Sequence, residues 1–267
     1  MSDVEESAMS IVEHLTELRK RIMWCILAFF LGFMILFPFA DDLLRVILKP
    51  VIQAMIERGL PAILQTTSPQ EEFFTLVRVS MLGGFLVAFP VVAYQLWAFV
   101  SPGLYKNERG AALPFILAAP IMFIIGSLFS HYIVSPLAMN FFIGFSDVAS
   151  VVTGEKTAAD AGDFLIQFDG KLDQVLDITL KLIFAFGLCF QLPVALTLLG
   201  KVGLVSADGL KAARKYAIVG IMFVSAIVTP PDVITQLILF TVVYGLYEIS
   251  VQLVGWVQPQ YDEVENE

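Results

Sequence analysis

The sequence predicts an all-α integral membrane protein with six transmembrane helices and both ends in the cytosol. Hydrophobic residues make up 58% of its 267 residues and charged residues only 15%, whereas soluble domains average about 45 to 50% and about 25%. The apolar residues gather into six long runs, and the polar segments between the runs alternate between rich and poor in lysine and arginine. One globular core cannot hide so much apolar surface, so lipid must cover much of it. We therefore expect a single polytopic membrane domain over residues 1–267.

Six runs are predicted to cross the membrane. The first has 19 residues without a charge, and a helix of that length rises about 28 Å, close to the roughly 30 Å of a hydrocarbon core. It follows a basic cluster as a secretory signal would, but it lacks a small-x-small cleavage pattern, so we expect a retained helix. The predicted spans are residues 22–40, 73–100, 111–136, 178–199, 216–228 and 233–257.

The basic residues orient these spans. Cytosolic loops of membrane proteins are enriched in lysine and arginine, and nine of the 16 basic residues lie in three compact segments. They are Arg19, Lys20, Arg21, Lys106, Arg109, Lys201, Lys211, Arg214 and Lys215. We expect these segments on the cytosolic side, called the inner end below, and the opposite side is called the outer end.

Two longer segments are predicted to cap the outer end. Residues 41–72 begin with an amphipathic helix that Pro50 should interrupt and Gly59 should end. Residues 137–177 are acidic, contain glycine and are long for a membrane-protein loop, so we expect a second cap with short helices of its own.

Prolines and one amide are the notable features within the spans. Pro90, Pro114, Pro120 and Pro193 should kink three helices, and Gln191 is a polar group at the middle of the fourth span. Cys25 and Cys189 lie in apolar runs far from any other candidate ligand. The sequence predicts no disulfide, metal site or cofactor.

Charged residues at the inner end have ordinary interpretations from their spacing alone. Ser10 and Glu13 form a capping box, so a helix should begin at Ser10 and run unbroken into the first span. Glu17 and Arg21, four residues apart, should pair at a few tenths of a kcal/mol. The 101–110 loop carries Glu108 between basic neighbours, which is typical of a solvated turn.

Motifs spread along the chain change this interpretation. In order they are His14-Leu15-x-Glu17-Leu18-Arg19-Lys20-Arg21, Pro69-x-Glu71-x-Phe73, Tyr94-Gln95-x-Trp97-x-Phe99-x-x-Pro102-x-Leu104-Tyr105-x-x-Glu108-Arg109, Phe190-x-x-Pro193-Val194 and Thr229-Pro230-Pro231-Asp232. This collinear series resembles that of the TatC family, and the Leu-Tyr-Lys-x-Glu-Arg loop is its most specific part.

The resemblance implies a receptor subunit of the twin-arginine translocase in the bacterial cytoplasmic (inner) membrane. Such a protein binds the signal peptides of folded cargo on the cytosolic face, recruits single-span partners of the TatA and TatB type, and draws on the proton gradient without nucleotide hydrolysis. The family also implies a concave, glove-like shape and several copies within a larger complex.

Residue by residue, the resemblance assigns roles. Glu17 and Glu108 match the family's signal-binding carboxylates, with a supporting patch of Arg19, Phe99, Leu104 and Tyr105. Two separated carboxylates suit arginine recognition because a guanidinium binds a carboxylate through two parallel hydrogen bonds, which lysine cannot do.

Two further candidate sites each have both a functional and a purely structural interpretation. Thr229 and Gln236 match positions by which the family holds its single-span partners, or they simply cap helix ends beside two prolines. Gln191 stands where other members can carry Glu; it either contacts cargo or partner, or bonds to backbone that Pro193 frees. An amide does not titrate, which weakens any role for it as a proton switch.

Other classes of protein fit less well. A small-molecule transporter usually holds ionisable residues at the midplane, where this chain offers Gln191. A membrane enzyme would need a catalytic motif, and neither H-E-x-x-H nor G-x-S-x-G is present. The formal charge of -9 argues against a nucleic-acid partner, which requires a basic surface.

Overall fold

The computed structural model describes residues 11–100, 113–152, 170–229 and 233–257, and these residues are almost entirely helical. Their only β pairing is an isolated bridge between Gln65 and Lys171. The helices are α1 (Ile11–Leu36), a 3-10 turn (Phe37–Phe39), α2 (Ala40–Glu57), α3 (Pro69–Val100), α4 (Leu113–Phe129), a π-helical turn (Ser130–Val134), α5 (Ser135–Val152), α6 (Leu172–Cys189), α7 (Leu192–Lys201), α8 (Ala207–Val228) and α9 (Val233–Val257). The predicted all-α membrane fold is confirmed.

Five helical stretches of the described residues are long and apolar enough to cross a membrane. They are His14–Glu57, Pro69–Phe99, Pro114–Gly144, Leu172–Lys201 and Val233–Val257. The fifth predicted span belongs to α8, whose 22 residues include Lys211, Arg214 and Lys215 in the first half. Because these charges occupy its inner end, α8 has an apolar stretch only from residue 216 to residue 228.

The helix α2 differs from the prediction at Pro50. This proline lies inside α2 without interrupting it, because Ile47 and Val51 on the same helix are buried against the outer-end core and hold it in place. Gly59 ends the helix as predicted, with φ of 72°. The N–H groups of Gly59 and Leu60 donate to the carbonyls of Ile56 and Met55, which satisfies the last turn.

The four predicted kink sites divide into three kinds. Pro90 and Pro120 lie inside α3 and α4, where a missing backbone N–H bends a helix. Pro193 stands in the first turn of α7, just after the break that follows Cys189. Pro114 is the second described residue of α4, and residues 101–112 before it lie outside the described part of the chain, so the kink at Pro114 stays a prediction.

Glycines allow close packing between the long helices. A Cβ atom at Gly84 of α3 would lie 2.6 Å from the backbone nitrogen of Phe33 in α1, and one at Gly126 of α4 would lie 2.6 Å from the carbonyl oxygen of Phe186 in α6. In lipid the hydrophobic effect does not drive helices together, so their association depends on van der Waals packing, and small residues at such crossings let the helices approach closely.

An ion pair connects the outer ends of α3 and α6. Arg78 of α3 donates to Asp173 of α6, with 2.5 Å between Nη1 and Oδ1. Within α6, Lys181 pairs with Asp177 one turn away, at 2.6 Å. The caps predicted over residues 41–72 and 137–177 contain α2 and most of α5, and α6 already begins at Leu172. Residues 153–169 lie outside the described part of the chain.

Candidate functional site

Glu17 lies near the inner end of α1 and is half-buried in a small polar cluster. The Nε atom of Arg21 lies 3.0 Å from Oε1 of Glu17, and Nη2 of Arg21 contacts the same oxygen. Arg21 also donates from Nη1 to Oε1 of Gln95 in α3, at 3.4 Å. The predicted pairing of Glu17 with Arg21 is confirmed, and Gln95 joins this pair to a second helix.

Only one oxygen of the Glu17 carboxylate is used in this cluster. Its Oε2 is buried and has no hydrogen-bond partner among the described residues. A carboxylate accepts through both oxygens, and a buried acceptor without a partner costs about 1 to 3 kcal/mol. The site therefore has an unused capacity to accept a hydrogen bond from a cation.

An aromatic contact holds α1 and α3 together beside this cluster. The ring of His14 stacks on that of Phe99, with 4.4 Å between centroids and 24° between planes. Arg19 is exposed on α1. The structure thus brings Glu17, Arg21 and Gln95 together and sets Phe99 against the same helix as Glu17.

The remaining predicted signal-binding residues lie outside the described part of the chain. Leu104, Tyr105 and Glu108 belong to residues 101–112, which join α3 to α4. This segment follows Val100, the last residue of α3, which is also the helix that carries Gln95.

Gln191 uses its amide to satisfy the backbone at the break between α6 and α7. The N–H of Gln191 donates to Leu188 rather than to Gly187, which leaves the Gly187 carbonyl without its usual backbone donor. The side-chain Nε2 lies 3.4 Å from this oxygen and 3.1 Å from the carbonyl oxygen of Ala119 in α4. The amide therefore bonds helix α4 to the helix break.

The two residues proposed for partner contact lie at the outer end of α8 and α9. Thr229 is buried, caps α8, and donates from Oγ1 to the carbonyl of Ser225 at 2.8 Å. Gln236 of α9 is half-buried, with its Nε2 3.7 Å from Sδ of Met222 in α8. Both polar groups face contacts within the protein.

A polar cluster on α8 and α9 was not predicted from the sequence. Glu248 accepts from Arg214 and from the hydroxyl of Tyr244 at 2.9 Å, while the hydroxyl of Tyr247 donates to the carbonyl of Leu210 at 2.7 Å. Glu248 is the only charged residue between positions 233 and 257. A single charge in an otherwise apolar helix indicates a polar partner, so the sequence contained this sign of the cluster. The described residues contain no group of three or more side chains that could hold a metal ion.

Comparison with known proteins agrees with the geometry. Residues 13–241 match the sequence model of the family described as Sec-independent protein translocase protein (TatC). The chain is 38% identical to the Sec-independent protein translocase protein TatC of Magnetococcus marinus, over 93% of this chain and 84% of that protein. It is 36% identical to the TatC of Aquifex aeolicus, over 92% of this chain and 94% of that protein.

A solved structure gives the same result in three dimensions. The crystal structure described as the twin arginine translocase receptor TatC superposes with a TM-score of 0.74 at 35% identity, covering 92% of this chain and 99% of that one. Sequence and fold agree over nearly the whole chain. This chain therefore belongs to the TatC family of twin-arginine protein transport, and it is a multi-pass protein-transport component of the inner membrane.

Proposed function

We propose that this protein is the subunit of the twin-arginine translocase that binds signal peptides at its cytosolic face. The observation that carries the proposal is Oε2 of Glu17 at the inner end of α1, which is buried and has no hydrogen-bond partner within the described parts of the chain. A guanidinium from a signal peptide would satisfy this oxygen while Arg21 keeps its bond to the other.

Charge and geometry favour an arginine over a lysine as the incoming group. A guanidinium presents five N–H donors in a planar fork, so it can reach Glu17 and a neighbouring acceptor at once. At an effective dielectric near 20, opposite charges about 4 Å apart attract by roughly 4 kcal/mol before desolvation. We propose that Glu17 takes one arginine and Glu108 the other, with Arg19, Phe99, Leu104 and Tyr105 around them.

The partner-docking edge is assigned to α8 and α9. Only Ala207, Leu210 and Ser225 of α8 are buried, whereas Val219, Phe223 and Ile227 along one face are 67 to 68% exposed. An apolar face exposed on an edge helix suits a single-span partner of the TatA or TatB type. Thr229 and Gln236 lie at the outer end of this edge, and their polar groups could exchange their present bonds for bonds to the partner.

The remaining parts of the proposal follow from the family. Several copies of the chain act within a larger complex, folded cargo is the substrate, and the proton gradient supplies the energy. Gln191 is bonded to two carbonyls and serves the structure of the helix break in this proposal.

A binding experiment with a labelled signal peptide tests the assignment. The protein in nanodiscs is titrated with a twin-arginine peptide and with the same peptide carrying two lysines, and we expect the arginine peptide to bind at least tenfold more tightly. Glu17→Gln and Glu108→Gln should each remove most of that preference. Glu72→Gln at the exposed outer end of α3 is the control, and equal binding by all four proteins would contradict the proposal.

A further inference from the structure

A groove of about 500 Å³ lies between α3, α4, α6 and α7, and the proposed signal-binding site does not use it. We call it the lateral groove. Its walls are apolar apart from Trp97 and Gln191 and include Phe85, Phe89, Ile116 and Leu198. Leu96, another wall residue, is 66% exposed, so the groove opens onto the surface that faces lipid.

The size of the lateral groove limits what it can hold. A helix about 10 Å wide that rises about 1.5 Å per residue fills 500 Å³ within roughly four residues. The groove therefore has room for about one turn of a helix. An acyl chain is a single file of methylene groups, and the volume lies in the range of about 300 to 1,000 Å³ typical of small-ligand sites.

A cation lies beside the inner end of the groove, next to one of its wall residues. Lys201, the last residue of α7, holds its Nζ 5.6 Å from the ring centroid of Phe115, and Phe115 is itself part of the groove wall. A lysine has three N–H donors on a flexible stem, so it can bind a phosphate oxygen while it keeps other contacts. This places a positive charge where an acyl chain in the groove would meet its headgroup.

A buried hydrogen-bond donor lies at the same end. Trp97 stands near the inner end of α3, and its Nε1 is buried without a partner among the described residues. An indole N–H normally finds an acceptor when buried, and tryptophan prefers the lipid headgroup level. The ester carbonyl of a phospholipid is an acceptor at that level.

We propose that the lateral groove binds one anionic phospholipid from the cytosolic leaflet. One acyl chain lies along Phe85, Phe89 and Leu198, the ester region accepts from Trp97, and the phosphate binds Lys201. The site distinguishes anionic from neutral lipid because a basic residue at the membrane surface adds about 1 kcal/mol to the binding free energy of an anionic lipid. That energy corresponds to about a fivefold preference over a neutral lipid with the same chains.

Native mass spectrometry of the detergent-solubilised chain tests the proposal. The probes are dioleoyl phosphatidylglycerol and dioleoyl phosphatidylcholine, and the parent should bind the first about fivefold more tightly. Lys201→Gln should abolish this preference. Lys215→Gln is the matched control, since Lys215 also lies over an aromatic ring, that of Tyr216, at 5.1 Å, but Tyr216 is not a wall residue of the groove as Phe115 is.

A second variant and a second readout locate the lipid. Ala195→Phe should fill the groove from its exposed side and reduce binding of both lipids, with a single gel-filtration peak showing that the variant folds. The second readout uses a Trp24→Phe, Trp256→Phe background, in which Trp97 is the sole tryptophan. Brominated phosphatidylglycerol should quench the fluorescence of Trp97 more than brominated phosphatidylcholine does at the same low mole fraction. Equal binding of the two lipids, equal effects of the two lysine variants, or equal quenching by the two brominated lipids would overturn the proposal.

Discussion

Arg214 of α8 donates a hydrogen bond to Glu248 of α9, with 2.7 Å between Nη2 and Oε2. This bond raises the pKa of Arg214 above its ordinary value. It also places the only charge of α9 at the level of the basic turn of α8. The apolar parts of the two helices therefore have their inner ends at the same level. They contain 13 residues from 216 to 228 and 15 residues from 233 to 247, which correspond to lengths of about 20 and 22 Å.

Exchanging the charges of this pair should test whether it joins α8 to α9. Arg214→Glu alone and Glu248→Arg alone place like charges together and should each lower the thermal stability of the purified protein. The double variant should recover most of that loss, because the attraction is restored in reverse. Lys211→Gln is the control, since the ion pair of Lys211 among the described residues is with Asp208 of the same helix. Additive losses in the double variant would show that the pair carries no interaction.

The α1–α3 crossing should tolerate no side chain at Gly84. Gly84→Ala places a Cβ 2.6 Å from the backbone nitrogen of Phe33, so the helices must separate, and overpacking of this kind costs about 1 to 3 kcal/mol. Gly220→Ala on α8 meets nothing within 4 Å and should be neutral or slightly stabilising, because alanine favours a helix more than glycine does. Thermal unfolding in detergent measures both. Equal stability of the two variants would contradict the close packing.

Gln191 should matter for stability and not for proton sensing. Gln191→Leu removes two hydrogen bonds to backbone carbonyls, and bonds of this kind within membranes are worth about 0.6 kcal/mol each. We expect a loss of about 1 kcal/mol and an unchanged pH profile of transport, because an amide holds no titrating proton. A changed profile in Gln191→Leu would show that this position takes part in sensing the gradient. Gln191→Glu, measured beside it, shows what a titrating group at this site would do.

The exposed face of α8 and the outer end of α9 should contact a single-span partner. Single cysteines at Phe223, Ile227 and Gln236 should form disulfides with cysteines in a co-expressed partner span of the TatA or TatB type. The short apolar lengths of α8 and α9 favour this, because mismatch with the bilayer is relieved by association. A cysteine at Met34 of α1, 55% exposed, is the control. Disulfides formed only through α1 to α4 would contradict the assignment.

Much of this protein follows from one-dimensional patterns in its sequence. The all-α membrane class follows from the apolar runs, the Glu17–Arg21 and Asp177–Lys181 pairs from i, i+4 spacing, and the end of α2 from Gly59. Each depends on residues close together in the chain, where helical geometry decides which side chains meet. The family membership followed from motifs in order along the chain.

Other features depend on which helices pack together, and local sequence does not specify this. Pro50 was expected to interrupt α2, but burial of its neighbours holds the helix intact. Three features are formed by residues of different helices: the contact of Gln95 with Arg21, the Arg214–Glu248 bond and the lateral groove. Helix periodicity shows which face of a helix is apolar, whereas only the tertiary structure decides which helix covers that face. The tertiary structure also decides which polar atoms are buried without a hydrogen bond, as Oε2 of Glu17 is among the residues described.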